Sequence, residues 1–166
     1  IRMKNIVFDS DGLIKLTKAG ILEKVIEHFI CSITKEVYDE TVVKGMERFY
    51  DDAFQIEELI KKGKIMVKNI ENSKKASNIL KGSSLGRGET SSLHLYFNLN
   101  AEAIISDDRA FLSVLQQNNV AFITPADFIV RSFELRILSK DESLNALDMI
   151  EPYICNYEKA KSDLEV

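Results

Sequence analysis

IVFDSDGLI, residues 6–14, decides how the rest of the chain is read. Ile6, Val7 and Phe8 run into Asp9, Ser10, Asp11 and Gly12, and Leu13 and Ile14 then resume the apolar pattern. A short apolar run bounded by turn residues suits a buried strand. In open α/β sheets, ligands bind just beyond the carboxyl ends of the strands. Two carboxylates fixed there can hold a cation or act as nucleophile and acid. The same residues also suit a strand followed by an Asx turn, in which Asp9 or Asp11 bonds only local backbone.

Outward from this stretch, strands and helices alternate. Lys4–Phe8 reads as the first strand and Gly12–Thr17 as a short helical turn. Ile21–Phe29 carries apolar residues at helix spacing, and Ile30–Ile33 follows as the second strand. Thr34 is an N-cap for a helix through Val37, Tyr38, Val42 and Val43. Gly45 is expected to break it, with Met46–Lys62 continuing as charged amphipathic helix. Ile65–Val67 is a third strand, and Ser73–Leu80 a short polar helix. KGSSLGRG, with Gly82, Gly86 and Gly88, reads as a working loop or hinge before a mostly buried helix over Thr90–Leu99. Ala103–Ile105 is a strand ending in Ser106, Asp107 and Asp108, and the next helix packs Phe111, Val114 and Leu115. Val120–Ile123 is the last strand. Thr124 with Pro125 starts a helix. Ser139 with Glu142 forms a capping box for another, which Pro152 ends, and Tyr153–Leu164 is a terminal helix. This alternation predicts an α/β fold, a three-layer α/β/α arrangement around a mostly parallel, about five-stranded sheet. Residues 1–166 are expected to form one domain, with 139–166 as C-terminal helices packed on it.

Composition narrows the chemistry. The 166 residues suit a single core, and 45% hydrophobic with 29% charged residues is ordinary for a globular protein. No window approaches the ~18 apolar residues of a membrane span, and the chain enters a strand at once, so neither a membrane anchor nor a signal peptide is expected. Cys31 and Cys155 lack metal-type spacing and are expected as reduced core thiols, which suggests a cytoplasmic location. With only His28 and His94 available, any metal here has oxygen ligands. The net charge of −4 argues against broad, non-specific nucleic-acid affinity. A nuclease with a local basic rim remains compatible with it.

The acids fall at corresponding places. Asp9 with Asp11, and Asp107 with Asp108, end two strands, which share one edge in a parallel sheet. Glu40 follows the second strand and Glu89 follows the glycine loop, each near a helix start at that same edge. Converging carboxylates repel, and a divalent cation resolves the repulsion. An all-oxygen set suits Mg²⁺ or Mn²⁺, which can acidify a water for attack on a phosphodiester. Each acid also has a plainer role. Glu89 can favour a helix N-terminus, Glu40 can lie on a solvated face, and Asp107 or Asp108 can cap a helix. Lys15, Lys18, Arg87 and Arg109 are the basic residues that could hold phosphates, or else ordinary surface charges.

Taken in order, VFDSDGLI, ITKEVYDE, LGRGETSSLHL, IISDDRAF and VAFITPADFIV resemble the PIN-domain nucleases, over roughly Lys4–Phe133. No single motif is specific; the order and spacing carry the likeness. The resemblance implies Asp9, Glu40, Glu89 and Asp108 as the catalytic acids that bind Mg²⁺ or Mn²⁺. Asp108 fits a Ser/Thr-x-Asp pattern through Ser106, with Asp107 as its rival. Ser10 corresponds to a small hydroxyl residue beside the acids. Asp11 stands where the family usually has Ser, Asn or an apolar residue, so it is an extra ligand or an outer acid. The implied reaction is hydrolysis of single-stranded RNA by a metal-activated water, that is, a ribonuclease and ester hydrolase. Many members are VapC-type toxins neutralised by an antitoxin, and many are dimers. An antitoxin protein and a homodimer are therefore the partners the resemblance suggests beside RNA.

DSDG also resembles the opening motif of haloacid-dehalogenase-type phosphatases, with Asp9 as nucleophile and Asp11 as acid/base. That reading takes Ser32 or Thr34 for the phosphoryl group, lacks a convincing Lys, and leaves Glu40 and Glu89 without work. A third reading is a non-catalytic binding module on the same fold.

Overall fold

The structure is a computed structural model that describes residues 3–48 and 50–165. In chain order, β1 (Lys4–Phe8) leads into α1 (Ser10–Lys18), α2 (Leu22–Val25) and a 3₁₀ turn (Ile26–His28), then β2 (Phe29–Thr34). One helical run follows: α3 (Lys35–Tyr38), a π-helical turn (Asp39–Val43) and α4 (Lys44–Glu47). After it come α5 (Asp51–Lys61), β3 (Ile65–Lys68), α6 (Lys74–Leu80), α7 (Arg87–Leu99), β4 (Ala103–Ile105) and α8 (Arg109–Gln117). The chain closes with β5 (Phe122–Ile123), α9 (Pro125–Glu134), α10 (Lys140–Ile150), a 3₁₀ turn (Glu151–Tyr153) and α11 (Tyr157–Leu164).

The five strands pair in parallel in the order β3-β2-β1-β4-β5. β1 is central because both its faces are apolar. Side chains alternate along a strand, so Ile6 and Phe8 enter one core while Val7 enters the other. The first core joins them to Leu13 and Leu16 of α1, Ile56 of α5, Phe128 of α9 and Leu147 of α10. Ala160 and Leu164 of α11 lie in that same cluster. The second core holds Ala76 of α6, Leu93 and Leu95 of α7, and Phe111 and Leu115 of α8. Helices therefore cover both faces, which gives the three-layer α/β/α fold read from the alternation. Among the described residues, no helix is long and apolar enough to cross a membrane.

Local signals placed most boundaries. Thr34 accepts from the Val37 N–H, Ser73 from Ala76 and Thr124 from Asp127, and Pro125 opens α9. The Ser139–Glu142 capping box is complete. Other expectations need correction. The apolar run Ile21–Phe29 is not one helix, because Phe29 already pairs with Lys4 in the sheet. Gly45 does not break its helix. A Cβ there would lie 2.7 Å from the Ala53 Cβ, so the glycine lets α4 and α5 touch. Met46–Lys62 is two elements, since α5 begins anew after Tyr50. α7 begins at Arg87 rather than Thr90, so Arg87 and Glu89 are helical and not part of a loop. Pro152 sits within a 3₁₀ turn, which delays α11 to Tyr157. Cys31 is buried, as expected, but Cys155 is exposed.

Chain direction sets the site. From β1 the chain steps outward to β2 and β3, then returns to place β4 on the other side of β1. The order reverses between β1 and β4, and the crevice at such a switch point lies at the strands' carboxyl ends. Gly12 seals this corner. A Cβ on it would stand 2.2 Å from the Ile105 carbonyl oxygen at the end of β4. Gly12→Ala must therefore displace α1 from β4. It should lower unfolding stability by on the order of 2–3 kcal/mol, read from the midpoint of urea denaturation. An unchanged midpoint would show that this corner yields freely.

Candidate active site

Asp9 follows β1 directly and is the N-cap of α1. Its Oδ1 accepts the Gly12 N–H at 2.7 Å, and its Oδ2 accepts the Ser106 hydroxyl from the end of β4. The Asx-turn reading of Asp9 is thus met, and the same geometry leaves its carboxylate at the end of β1. Only 1% of Asp9 is exposed. Burial pushes its carboxyl up to about 7; the Ser106 and Gly12 hydrogen bonds oppose the rise, and the charges of Asp11 and Glu89 add to it.

Glu40 projects from the π-helical turn, and Ser10 donates to its Oε2 at 2.5 Å. Glu89 is the third residue of α7. Burial raises its pKa, with further contributions from Asp108, Glu40 and Asp11. The two glycines that flank Arg87 have a specific use here. A Cβ on Gly88 would lie 2.8 Å from Glu40 Oε2, and one on Gly86 would lie 2.8 Å from Glu89 Oε2. Both carboxylates occupy space that any side chain at those positions would fill. The N-terminal end of α7 is also tied to the end of β2: Thr34 and Ser91 share a hydrogen bond of 2.8 Å, while Ser91 and Ser92 donate to the Gly88 carbonyl.

The Asp107–Asp108 doublet divides its work. Asp108 caps α8, accepting the Phe111 N–H at 2.9 Å, and its own N–H donates to Ser106. Its charge is felt by both Glu89 and Asp11. Asp107 instead receives Lys15 at 2.8 Å. Lys15 also forms an ion pair with Asp11 Oδ2 at 3.2 Å. Burial raises the Asp11 pKa, and Lys15 counteracts it. Burial also works against the charge of Lys15, but Asp107 and Asp11 outweigh it and raise its pKa. Lys15 therefore sits as a fixed cation within the acidic corner. Arg87 and Arg109 are exposed.

The acids come from four separate places in the chain and interact at one corner. As placed, no three among the described residues form a ready-made ion cage. The donor chemistry nevertheless fits a hard divalent cation. It consists of carboxylate oxygens alone, one pair of them on a nearly inaccessible aspartate. Asp9, Glu40, Glu89 and Asp108 would hold such an ion, with Asp107 and Asp11 beside them.

Two supporting features escaped the sequence reading. Ser106 appeared there only as the first place of a Ser/Thr-x-Asp pattern, and the structure makes it the hydrogen-bond donor that fixes Asp9. Lys44 and Arg48 line a groove of about 380 Å³ that opens beside Glu40 and also includes Lys18 and Tyr50. Their signal was spacing, since Glu40, Lys44 and Arg48 recur every four residues on one helical run.

The buried acids set a pH dependence for the metal-free protein. Asp9 binds its proton more tightly folded than unfolded, so stability should fall as pH rises from about 4 to about 7 and then level off. The shift corresponds to roughly 4 kcal/mol as an upper figure. Asp11 and Glu89 act with the same sign. Denaturation in the presence of a chelator across this range checks the slope, which Asp9→Asn should largely remove.

Comparison with known families agrees with this geometry. No curated protein matches the chain. A family model described as a PIN domain matches residues 5–152, a span that contains every strand and every acid of the site except for the first residue of β1. The chain belongs to the PIN-domain family, a family of nucleases.

Proposed function

We propose that this protein is a divalent-metal-dependent endoribonuclease that hydrolyses phosphodiester bonds in single-stranded RNA. One observation carries the reading: Asp9, Glu40, Glu89 and Asp108 converge at the β1–β4 switch point, where Gly86 and Gly88 clear space for two of their carboxylates. Mg²⁺ or Mn²⁺ bound there would neutralise charge developing on the phosphate and acidify a water.

The chain's own residues supply the rest. Ser106 and the Gly12 N–H hold Asp9 in one orientation, and Ser10 does the same for Glu40. Preorganised groups of this kind need not reorganise during reaction. Lys15 screens Asp11 from Asp107, which keeps both close without further repulsion. We assign to Glu89, which reaches the acids from the first turn of α7, the role of accepting a proton from the attacking water. The water oxygen joins phosphorus, one ester P–O bond breaks, and the departing oxygen takes up a proton. Arg87 and Arg109, exposed at the starts of α7 and α8, are assigned to phosphates. Lys44 and Arg48 extend this support along the groove beside Glu40.

We further propose that residues 1–166 form one domain and that the protein acts in the cytoplasm as the toxin of a toxin–antitoxin pair and as a homodimer. Membership of the PIN-domain family leaves the phosphatase reading of Asp9 and Asp11 without support.

Asp9→Asn and Glu89→Gln should each lower Mn²⁺-dependent cleavage of single-stranded RNA by about 10²–10⁴-fold while the circular dichroism spectrum stays native. Full activity in Asp9→Asn would sink the assignment. Mn²⁺ should raise the melting temperature of the unmodified protein but not that of Asp9→Asn. No shift in the unmodified protein would favour a non-catalytic binding module.

A further inference from the structure

The groove of about 380 Å³ beside Glu40 has features that phosphate support alone does not use. One wall is the helical run that carries Lys44 and Arg48, and the other includes Lys18 of α1 and Asp52 of α5. Gly45 and Ala53 also line it, and their contact closes α4 against α5. Tyr50, between α4 and α5, completes the lining.

The charges in the groove are unequal. Lys18 is neutralised by Asp52 at 2.7 Å. Lys44 and Arg48 are exposed, and among the described residues neither forms an ion pair. They follow Glu40 by four and eight residues on one helical run, so free positive charge leads away from the acids.

Tyr50 is 55% exposed. Single exposed apolar side chains are ordinary on a surface, but this one lines a groove that also holds two free cations. Its backbone is tied down. The Tyr50 N–H donates to the Gly45 carbonyl at 2.9 Å, and the Tyr50 carbonyl accepts the Ala53 N–H at 3.1 Å. A fixed turn therefore presents the ring.

We propose that this groove holds the nucleotide adjoining the phosphate that is cut, with its own phosphate on Lys44 and Arg48 and its base stacked on Tyr50. The proposal rests on the nuclease reading for its substrate. A nucleotide is the unit that joins an anion to a flat ring, which is the pairing of groups the groove offers. Stacking on an aromatic side chain needs an uncovered base face, which a single strand supplies and a duplex does not. Every base has such a face, so the groove selects an unpaired strand and not a particular base. Continuity with Glu40 lets the strand run from the groove into the acidic corner, and a chain that continues past the cut suits internal cleavage.

The test is fluorescence anisotropy of a labelled single-stranded RNA of mixed sequence, and of its duplex, titrated with the whole chain in EDTA. The single strand should bind more tightly than the duplex. Tyr50→Ala should weaken single-strand binding about tenfold and narrow that gap, while Tyr50→Phe retains the affinity because the ring carries the stack. Lys44→Ala and Arg48→Ala should each weaken binding and reduce the slope of log affinity against log salt by about 0.7. Tyr50→Ala should leave the slope unchanged. All three positions are exposed, and Tyr50 precedes α5 without a side-chain capping bond, so the variants should keep a native circular dichroism spectrum. With Mn²⁺ each truncation should raise KM more than it lowers kcat.

Unchanged single-strand affinity in Tyr50→Ala would overturn the proposal and leave the groove to a protein partner. Equal losses in Tyr50→Ala and Tyr50→Phe, an unchanged salt slope in both charge variants, or no saturable RNA binding would also overturn it. Failure of the groove is distinct from failure of the nuclease reading. Asp9-dependent RNA cleavage with an unaltered KM in these variants removes only the groove, whereas Tyr50-dependent RNA binding without metal-dependent cleavage removes only the nuclease.

Discussion

The structure depends on holding one carboxylate, that of Asp9, almost out of water at the junction of β1, α1 and β4. Burying an ionised group is expensive unless partners compensate it. Here the compensation comes from the Gly12 N–H and the Ser106 hydroxyl, one from each side of the switch point. Asp9 is consequently a structural tie and a chemical group at once. The bonds that satisfy it also join the first turn of α1 to the end of β4, and Gly12 permits that contact because it has no side chain. The partial compensation leaves its pKa near neutrality.

The remaining acids are arranged around this tie by separate devices. Ser10, the residue after Asp9, reaches Glu40 across the crevice and so couples α1 to the π-helical turn. The π turn matters because an extra residue per turn redirects the helical run beyond it, and π segments recur at functional sites. Gly88 lets α7 approach Glu40, Gly86 leaves room for the Glu89 carboxylate beside its own helix end, and the Thr34–Ser91 bond holds α7 against β2. Lys15 partly offsets the accumulated negative charge through Asp107 and Asp11. On the proposed function, a divalent cation at this corner would let a chain with a net charge of −4 act on an anionic substrate.

The α7 N-terminus then emerges as the organising element of the substrate side. On one flank it presents Glu89 to the acids, and on the other it borders a pocket lined by Glu36 and His94. Arg87 stands between them.

Much of this was legible in the amino-acid order. The alternation of strand and helix patterns predicts the parallel sheet, because both follow from local periodicity and from the need to bury both faces of β1. Caps such as Thr34, Thr124 and Ser139 were readable because a cap bonds within three residues of itself. The four acids were readable as a set because parallel strands bring their carboxyl ends to one edge whatever the details. Features that depend on distant neighbours were not readable. Gly45 looked like a helix breaker, and only the approach of Ala53 shows that it is a contact point. Gly86 and Gly88 looked like a hinge, since nothing local reveals that the carboxylates of Glu89 and Glu40 take up the space beside them. Lys15 could not be assigned to Asp107, 92 residues away, until folding joined β1 to β4. The division has one physical cause: periodicity and capping act over a few residues, whereas close approach and charge pairing act through space.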